Sequence, residues 1–335
     1  MPAPLQDVTI VEFRGLGPAP FAAMCLSDMG ARVIQIAREQ PGPPSPWLDR
    51  GRERLALDLK SDAGRARALE LIGTADLLIE GFRPGRMEAL GLGPEAAFAA
   101  NPRLVYGRMT GWGQEGPMAG LAGHDLNFLA MSGMLSLMGY RDRPPAPPLN
   151  LVSDFGGGGM YLAFGLLCAL HGARATGRGA VIDAAMVHGT NHLATFVHGR
   201  LAAGGWAPER EANALDGGAP FYRVYDCADG GWMSVAAVEP QFWRAALAAL
   251  ELSPELLAQQ WQRESWPEQI GLLAERFRSR SRAAWIDAFE GVDACVCPVL
   301  TPAEAAAHPQ VGCYFEQVGE VSRPRPAPII VAREG

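Results

Sequence analysis

The sequence predicts an α/β protein: a Rossmann-like large domain built on a parallel sheet, followed by a smaller α+β domain. Three observations carry that expectation. The first third alternates short apolar runs with segments of helical period, a rhythm that suits parallel strands covered by helices. Beyond about residue 215 the pattern changes to paired short strands around a tight turn. The chain has 335 residues, more than one ordinary domain core holds.

Taken in order, Asp7–Phe13 (DVTIVEF) is expected as a buried strand, followed by a Gly/Pro turn and a helix from about Pro20 to Met29. Arg32–Ala37 is the next strand, Gln40–Trp47 a proline-rich loop, Ser61–Ala75 a helix and Asp76–Glu80 a strand. Helical turns over Arg86–Ala100 lead into a strand at Leu104–Met109. Asn127–Met138 and Met160–Arg174 carry apolar residues at helix spacing, and Ala184–Gly204 reads as one long helix leading away from the sheet. Phe221–Asp226 and Trp232–Val238 flank an Ala-Asp-Gly-Gly turn, a hairpin signal. Further helices and a strand at Ala294–Val299 follow, and Ser322–Pro328 reads as extended. The expected division is 1–185 for the large domain, 186–214 for a linker helix, 215–310 for the small domain and 311–335 for a return to the large one.

Hydrophobic residues make up 48% and charged residues 19% of the chain, an ordinary globular composition that excludes disorder and coiled coil. With 29 basic and 36 acidic residues the net charge is −7, so a nucleic-acid partner is not expected. Lys60 is the sole lysine, which leaves phosphate recognition mainly to arginine. The six cysteines form no C-x-x-C pair and suit a reducing compartment. No charged, then apolar, N-terminal pattern is visible, and Phe155–Leu170 reads as too short to span a bilayer; a cytoplasmic protein without a membrane partner is expected.

Several residues are candidates for chemistry. Gly15–Pro20 is either a tight turn at a helix start or a phosphate-facing loop; it lacks the dinucleotide fingerprint. His124, in a glycine-bounded loop before a helix, is either a structural histidine or a general base. Asp154 precedes four glycines (Gly156–Gly159). It is either a helix N-cap or an acid–base group whose neighbouring bare amides hold an oxyanion. Glu239, ahead of Pro240, fits a helix start. His188 and His192 stand four apart but lack a third ligand, so metal binding is not expected. The absence of G-x-S-x-G removes the common serine-hydrolase reading.

Together these segments are similar to a known family. VTIVEFRGLGPAPFAAMCLSDMGA, LALDLK, GFRPG, LVYGRMTGWGQEGP, GHDLNF, PPLNLVSDFGGGG, LDGGAPFY, VEPQFW and DACVCPVL run in order from Val8 to about Pro328. The sequence resembles the α-methylacyl-CoA racemases, a branch of the family III CoA transferases. The resemblance implies interlocked homodimers, with a site between one subunit's large domain and the partner's small domain. It carries the catalytic histidine to His124, the catalytic aspartate to Asp154, and the glutamate paired with the histidine to Glu239. It implies an acyl-CoA thioester substrate bound at Arg38, Leu57, Asp58, Leu59, Lys60, Gly81, Phe82 and Arg83. It adds the loop Gly123, Asp125, Leu126, Asn127 and Phe128, together with Asn150. Neither a metal nor a separate organic cofactor is implied, since CoA is part of the substrate.

The implied reaction is epimerisation at C2 of a 2-methylacyl-CoA by two bases on opposite faces of an enolate. Two alternatives remain: a CoA transferase using Asp154 as nucleophile, and a non-catalytic acyl-CoA-binding paralogue. The transferases usually lack the histidine and the glutamate that this chain carries at His124 and Glu239. The chain also departs from the racemase pattern. Ala89 stands where relatives carry an arginine, Arg86 lies one helical turn earlier, the Glu39–Arg54 loop is short, and Cys297 replaces a more usual threonine.

Overall fold

The computed structural model describes residues 3–39 and 45–331; part of the proline-rich loop, 40–44, lies outside the described residues. The described chain divides into two compact units, one of residues 1–134, 148–196 and 323–335, the other of 135–147 and 197–322.

The first unit opens with β1 (Thr9–Phe13), α1 (Pro18–Asp28), β2 (Arg32–Ala37) and β3 (Arg52–Ala56). It continues through α2 (Asp62–Thr74), β4 (Leu77–Glu80), α3 (Arg86–Ala89), α4 (Pro94–Ala100) and β5 (Val105–Thr110). α5 (Asp125–Met131) is followed by a π-helical segment, Leu151–Met160, that runs straight into α6 (Tyr161–Thr176). β6 (Ala180–Ala185) and α7 (Met186–Leu193) complete the unit. The six strands pair in the order β3-β2-β1-β4-β5-β6, all parallel. The strand order reverses direction between β1 and β4, the point at which doubly wound sheets hold ligands beyond their carboxyl ends.

The central strands are apolar on both sides: Ile10, Val11, Leu77, Leu78, Val105 and Tyr106 are fully buried. One face packs against α1 and α6 through Ala22, Leu26, Leu162 and Leu166, the other against α2 and α4 through Ala68, Ile72 and Ala97. Burial from both sides is what a parallel sheet requires, and it explains the unbroken apolar runs in the sequence.

Three expectations are corrected here. β3, RERLA, lies within what reads as loop; it is an edge strand with mostly exposed residues, so it carries no apolar run. The long helix expected over Ala184–Gly204 is the end of β6, then α7, then a separate α8 (Thr195–Ala202) after a break at Ala194. Leu151–Thr176 forms 26 continuous helical residues, long and apolar enough by length and composition to cross a bilayer. Its buried Leu162, Ala163, Leu166 and Leu170 belong to the core against the sheet, so it is the central helix of this unit.

The second unit contains α8, the hairpin β7 (Tyr222–Asp226) and β8 (Trp232–Ala236), α9 (Pro240–Ala249), α10 (Trp266–Arg278) and α11 (Arg282–Phe289). β9 (Val296–Pro298), α12 (Pro302–Ala307), β10 (Phe315–Val318) and β11 (Val321–Pro324) follow. β7 and β9 pair antiparallel with β8 around a core of Phe221, Trp243, Phe277 and Trp285. Residues 135–147 belong here because Arg210 donates to the carbonyls of Tyr140 (2.9 Å) and Arg143 (2.7 Å). The chain stays with this unit through Ser322, in the β10–β11 hairpin, rather than leaving it near residue 311.

Candidate active site

A cavity of about 1050 Å³ opens at the carboxyl ends of β2 and β3 in the first unit. Arg38, Leu57, Asp58, Leu59, Lys60 and Phe82, all among the positions singled out in the sequence, line it. Arg86 lines it too, one helical turn before Ala89. Arg38, Lys60 and Arg86 are all exposed, so their charges reach the opening. Such an arrangement presents cations to phosphate oxygens while Ile36, Leu57 and Leu90 offer an apolar wall. Phe82 is held from beneath: its amide donates to Glu80 Oε2 at 2.7 Å, and Glu80 pairs with Arg108. Gly81 and Arg83 are exposed beside this turn but are not part of the cavity wall.

His124 and Asp154 are brought together elsewhere in the same unit. His124 is exposed and caps α5; its backbone amide donates to Asn127 Oδ1 at 3.1 Å. Asp154 sits inside the π-helical segment, half-buried, with Asn150 Nδ2 3.5 Å from its Oδ2. Burial pushes its carboxyl above the ordinary aspartate range, and the Asp125 charge pushes the same way; Asn150 and His124 pull it down. Gly17, in the turn after β1, faces this carboxylate, since a Cβ built on it falls 3.6 Å from Asp154 Oδ2. The Gly15–Pro20 loop therefore borders the candidate site, a position its sequence alone left open.

Several side chains of the loop 123–128 are engaged within the fold. Asp125 is 4% exposed, and its Oδ2 accepts the amides of Ser153 and Asp154, both at 2.7 Å. Phe128 is buried edge-on to Trp112, and a Cβ on Gly123 would meet its ring at 2.8 Å. Asn127 holds the His124 backbone. The side chains of Asp125, Asn127 and Phe128 serve the scaffold, and Leu126 alone of the four projects to solvent as a large apolar group.

The four glycines after Asp154 also differ from expectation. They do not open a helix; they lie within the π-helical segment, whose wide turns place its amides in i→i−5 bonds. Their reason is close packing. A Cβ on Gly157 would meet Thr190 N at 2.7 Å, on Gly158 Met186 Cγ at 2.8 Å, and on Gly159 Phe21 Cδ1 at 2.7 Å. With the Ser153 and Asp154 amides taken by Asp125, neither these nor the glycine run supplies the expected oxyanion donors. Glu239 stands in the second unit, exposed at the start of α9, where its carbonyl accepts the Trp243 amide at 3.0 Å.

The comparisons with known proteins agree with this architecture. The model of CoA-transferase family III matches residues 5–314. The chain is 43% identical to human alpha-methylacyl-CoA racemase over 330 residues, covering 98% of this chain and 86% of that protein. It is 32% identical over 331 residues to acetyl-CoA:oxalate CoA-transferase of Acetobacter aceti, covering 92% of this chain and 83% of the relative. Its fold is similar to that of a CAIB/BAIF family protein from Brucella suis, with TM-score 0.84 at 24% identity over 99% of this chain and 93% of that one. The chain belongs to CoA-transferase family III.

Proposed function

We propose that the protein is an isomerase that epimerises C2 of 2-methyl-branched acyl-CoA thioesters by two-base proton transfer. The observation that carries this reading is the pairing of an exposed histidine with a half-buried aspartate whose carboxyl is pushed toward its neutral form. A transferase nucleophile works as the carboxylate anion, whereas an acid–base partner must hold a proton near neutral pH and release it. Burial and the Asp125 charge favour the second task. The racemase relative at 43% identity supports it over the transferase at 32%.

In one direction His124 takes the C2 proton, and the electron pair moves into the thioester carbonyl to give a planar enolate. Asp154 then delivers its proton to the opposite face, and the electrons return to C2; the reverse direction exchanges the roles. The amides of Asp125 and Leu126, which open α5 beside His124, are assigned to the enolate oxygen in place of the glycine run. The cavity near Arg38, Lys60 and Arg86 takes the phosphorylated end of CoA. On the family pattern Glu239 is the carboxylate that orients a catalytic imidazole, within the homodimer which that pattern implies.

The test is proton NMR of a single-epimer 2-methylacyl-CoA in deuterated buffer. The C2 proton should vanish while the thioester survives and both epimers appear, and His124→Ala should slow this about 10²–10⁴-fold. A retained C2 proton with CoA moving to an added carboxylate makes the protein a transferase. Binding with neither change makes it a non-catalytic acyl-CoA-binding protein.

A further inference from the structure

Asp125 occupies the first position of α5, where an aspartate ordinarily serves its own helix dipole. Its carboxylate turns instead to a segment 28 and 29 residues further along and accepts the Ser153 and Asp154 amides at 2.7 Å each. These are first-turn amides of the π-helical segment, which carries no side-chain cap of its own, so Asp125 caps it from a neighbouring helix. Its other oxygen, Oδ1, is buried without a hydrogen-bond partner among the described residues. The carboxylate is thus committed through one oxygen to the backbone of the segment that carries Asp154.

Asp125 follows His124 directly in sequence and holds the Asp154 backbone, so a single side chain ties the elements that carry both candidate bases. The charges that face Asp154 among the described residues are those of Asp125 and His124, both from the opening of α5. The turn before α1 presents Gly17 to the carboxylate, and α7 presents Gly189 and Thr190 to the next turn of the segment. Below Asp154, the Ser153 and Thr190 hydroxyls are hydrogen-bonded at 2.9 Å, which closes the buried side of the same turn.

We infer that Asp125 is a positioning residue of this site: its carboxylate fixes the Asp154 turn relative to His124 and sets a second acidic group against Asp154. The role rests on the acid–base reading of Asp154. A neutral cap would fix the turn equally well; only the charged one poises the acid.

Asp125→Asn separates the two roles, because it keeps an acceptor for the amides and removes the charge. The direct readout is the carboxyl-carbon NMR titration of Asp154, assigned with Asp154→Asn; it uses no substrate and so stands apart from the fate of the racemase reading. In the wild type the Asp154 midpoint should lie above the ordinary aspartate range, and in D125N it should fall by about half a unit or more. The acid limb of the pH–rate profile should move down with it while the alkaline limb and KM hold. Asp125→Glu, which retains the charge, should keep the midpoint raised. An ordinary Asp154 midpoint in the wild type overturns the inference, as does one that D125N leaves in place; a loss of rate with unmoved limbs would leave only the cap.

Discussion

The cavity at the ends of β2 and β3 is lined by exposed side chains that solvent already surrounds, among them Arg38, Lys60 and Arg86. The turn carrying Asp154 is fixed by close main-chain packing of Gly157 on Gly189, by side chains packed on Gly158 and Gly159, and by a carboxylate from α5. The first kind of site tolerates exchange, because a cation one helical turn away still reaches a phosphate. The second kind does not where Gly157 meets Gly189, because main chain lies on both sides. The same unit thus combines a cavity wall that tolerates exchange with a packed corner around Asp154 that does not.

The largest expected effect lies in that corner. A Cβ on Gly189 would fall 1.8 Å from the Gly157 carbonyl oxygen and 2.7 Å from its carbon, so α7 and the π-helical segment touch main chain to main chain. Neither side is a flexible side-chain end that can swing away. Gly189→Ala should destabilise the protein by at least about 3 kcal/mol, the upper range for overpacked cores, and remove activity with it. Urea unfolding checks the stability. A variant that unfolds like wild type would mean the helices separate easily and the corner is softer than its contacts imply.

A smaller effect is expected in the cavity. Arg86→Ala removes one cation from the wall, and a charge-assisted hydrogen bond contributes about 1.5–3 kcal/mol. The KM for acyl-CoA should rise about tenfold or more with kcat nearly unchanged, the mark of an interaction common to ground and transition states. Adding Ala89→Arg to R86A should restore most of the affinity, because the two positions are three residues apart on α3, on one face of the helix. A fall in kcat instead would place Arg86 nearer the reacting atoms than the cavity suggests.

Sequence reading reaches these two regions unequally. Strands such as Arg32–Ala37 are buried on both faces and announce themselves as apolar runs; β2 spans that same range. β3 does not, since an edge strand alternates Arg and Glu with little to bury. β6, AVIDAA, runs directly into α7, and alanine suits either element. Cavity residues such as Arg38 and Lys60 follow strand ends and are legible by motif and position. His124 and Asp154 are legible as residues, but the role of Asp125 depends on a segment 28 residues away. No side-chain period marks a π-helical turn either, and the glycine run reads as a helix opening until α1 and α7 are seen packed against it.

The smallest effect tests what joins the cavity to the sheet. Glu80, 1% exposed at the end of β4, accepts the amide of Phe82 and pairs with Arg108 at 3.2 Å. Burial nevertheless dominates and pushes its carboxyl up to about 7, with the Phe82 amide and Arg108 pulling back. The folded protein therefore holds a proton on Glu80 over a range where the unfolded chain has released it. Folding binds more protons, so this group's contribution to stability is full below the ordinary glutamate range and is lost as pH rises through about 7. The slope from this group cannot exceed about 1.4 kcal/mol per pH unit. Urea unfolding between about pH 5 and 8 should show wild type losing stability with rising pH more steeply than Glu80→Gln. The variant's absolute stability is a separate matter, because it also loses the pairing with Arg108; only the difference in slope bears on Glu80. Equal slopes would mean that Arg108 keeps Glu80 ionised throughout, and the floor beneath Phe82 would then be an ion pair at every pH in that range.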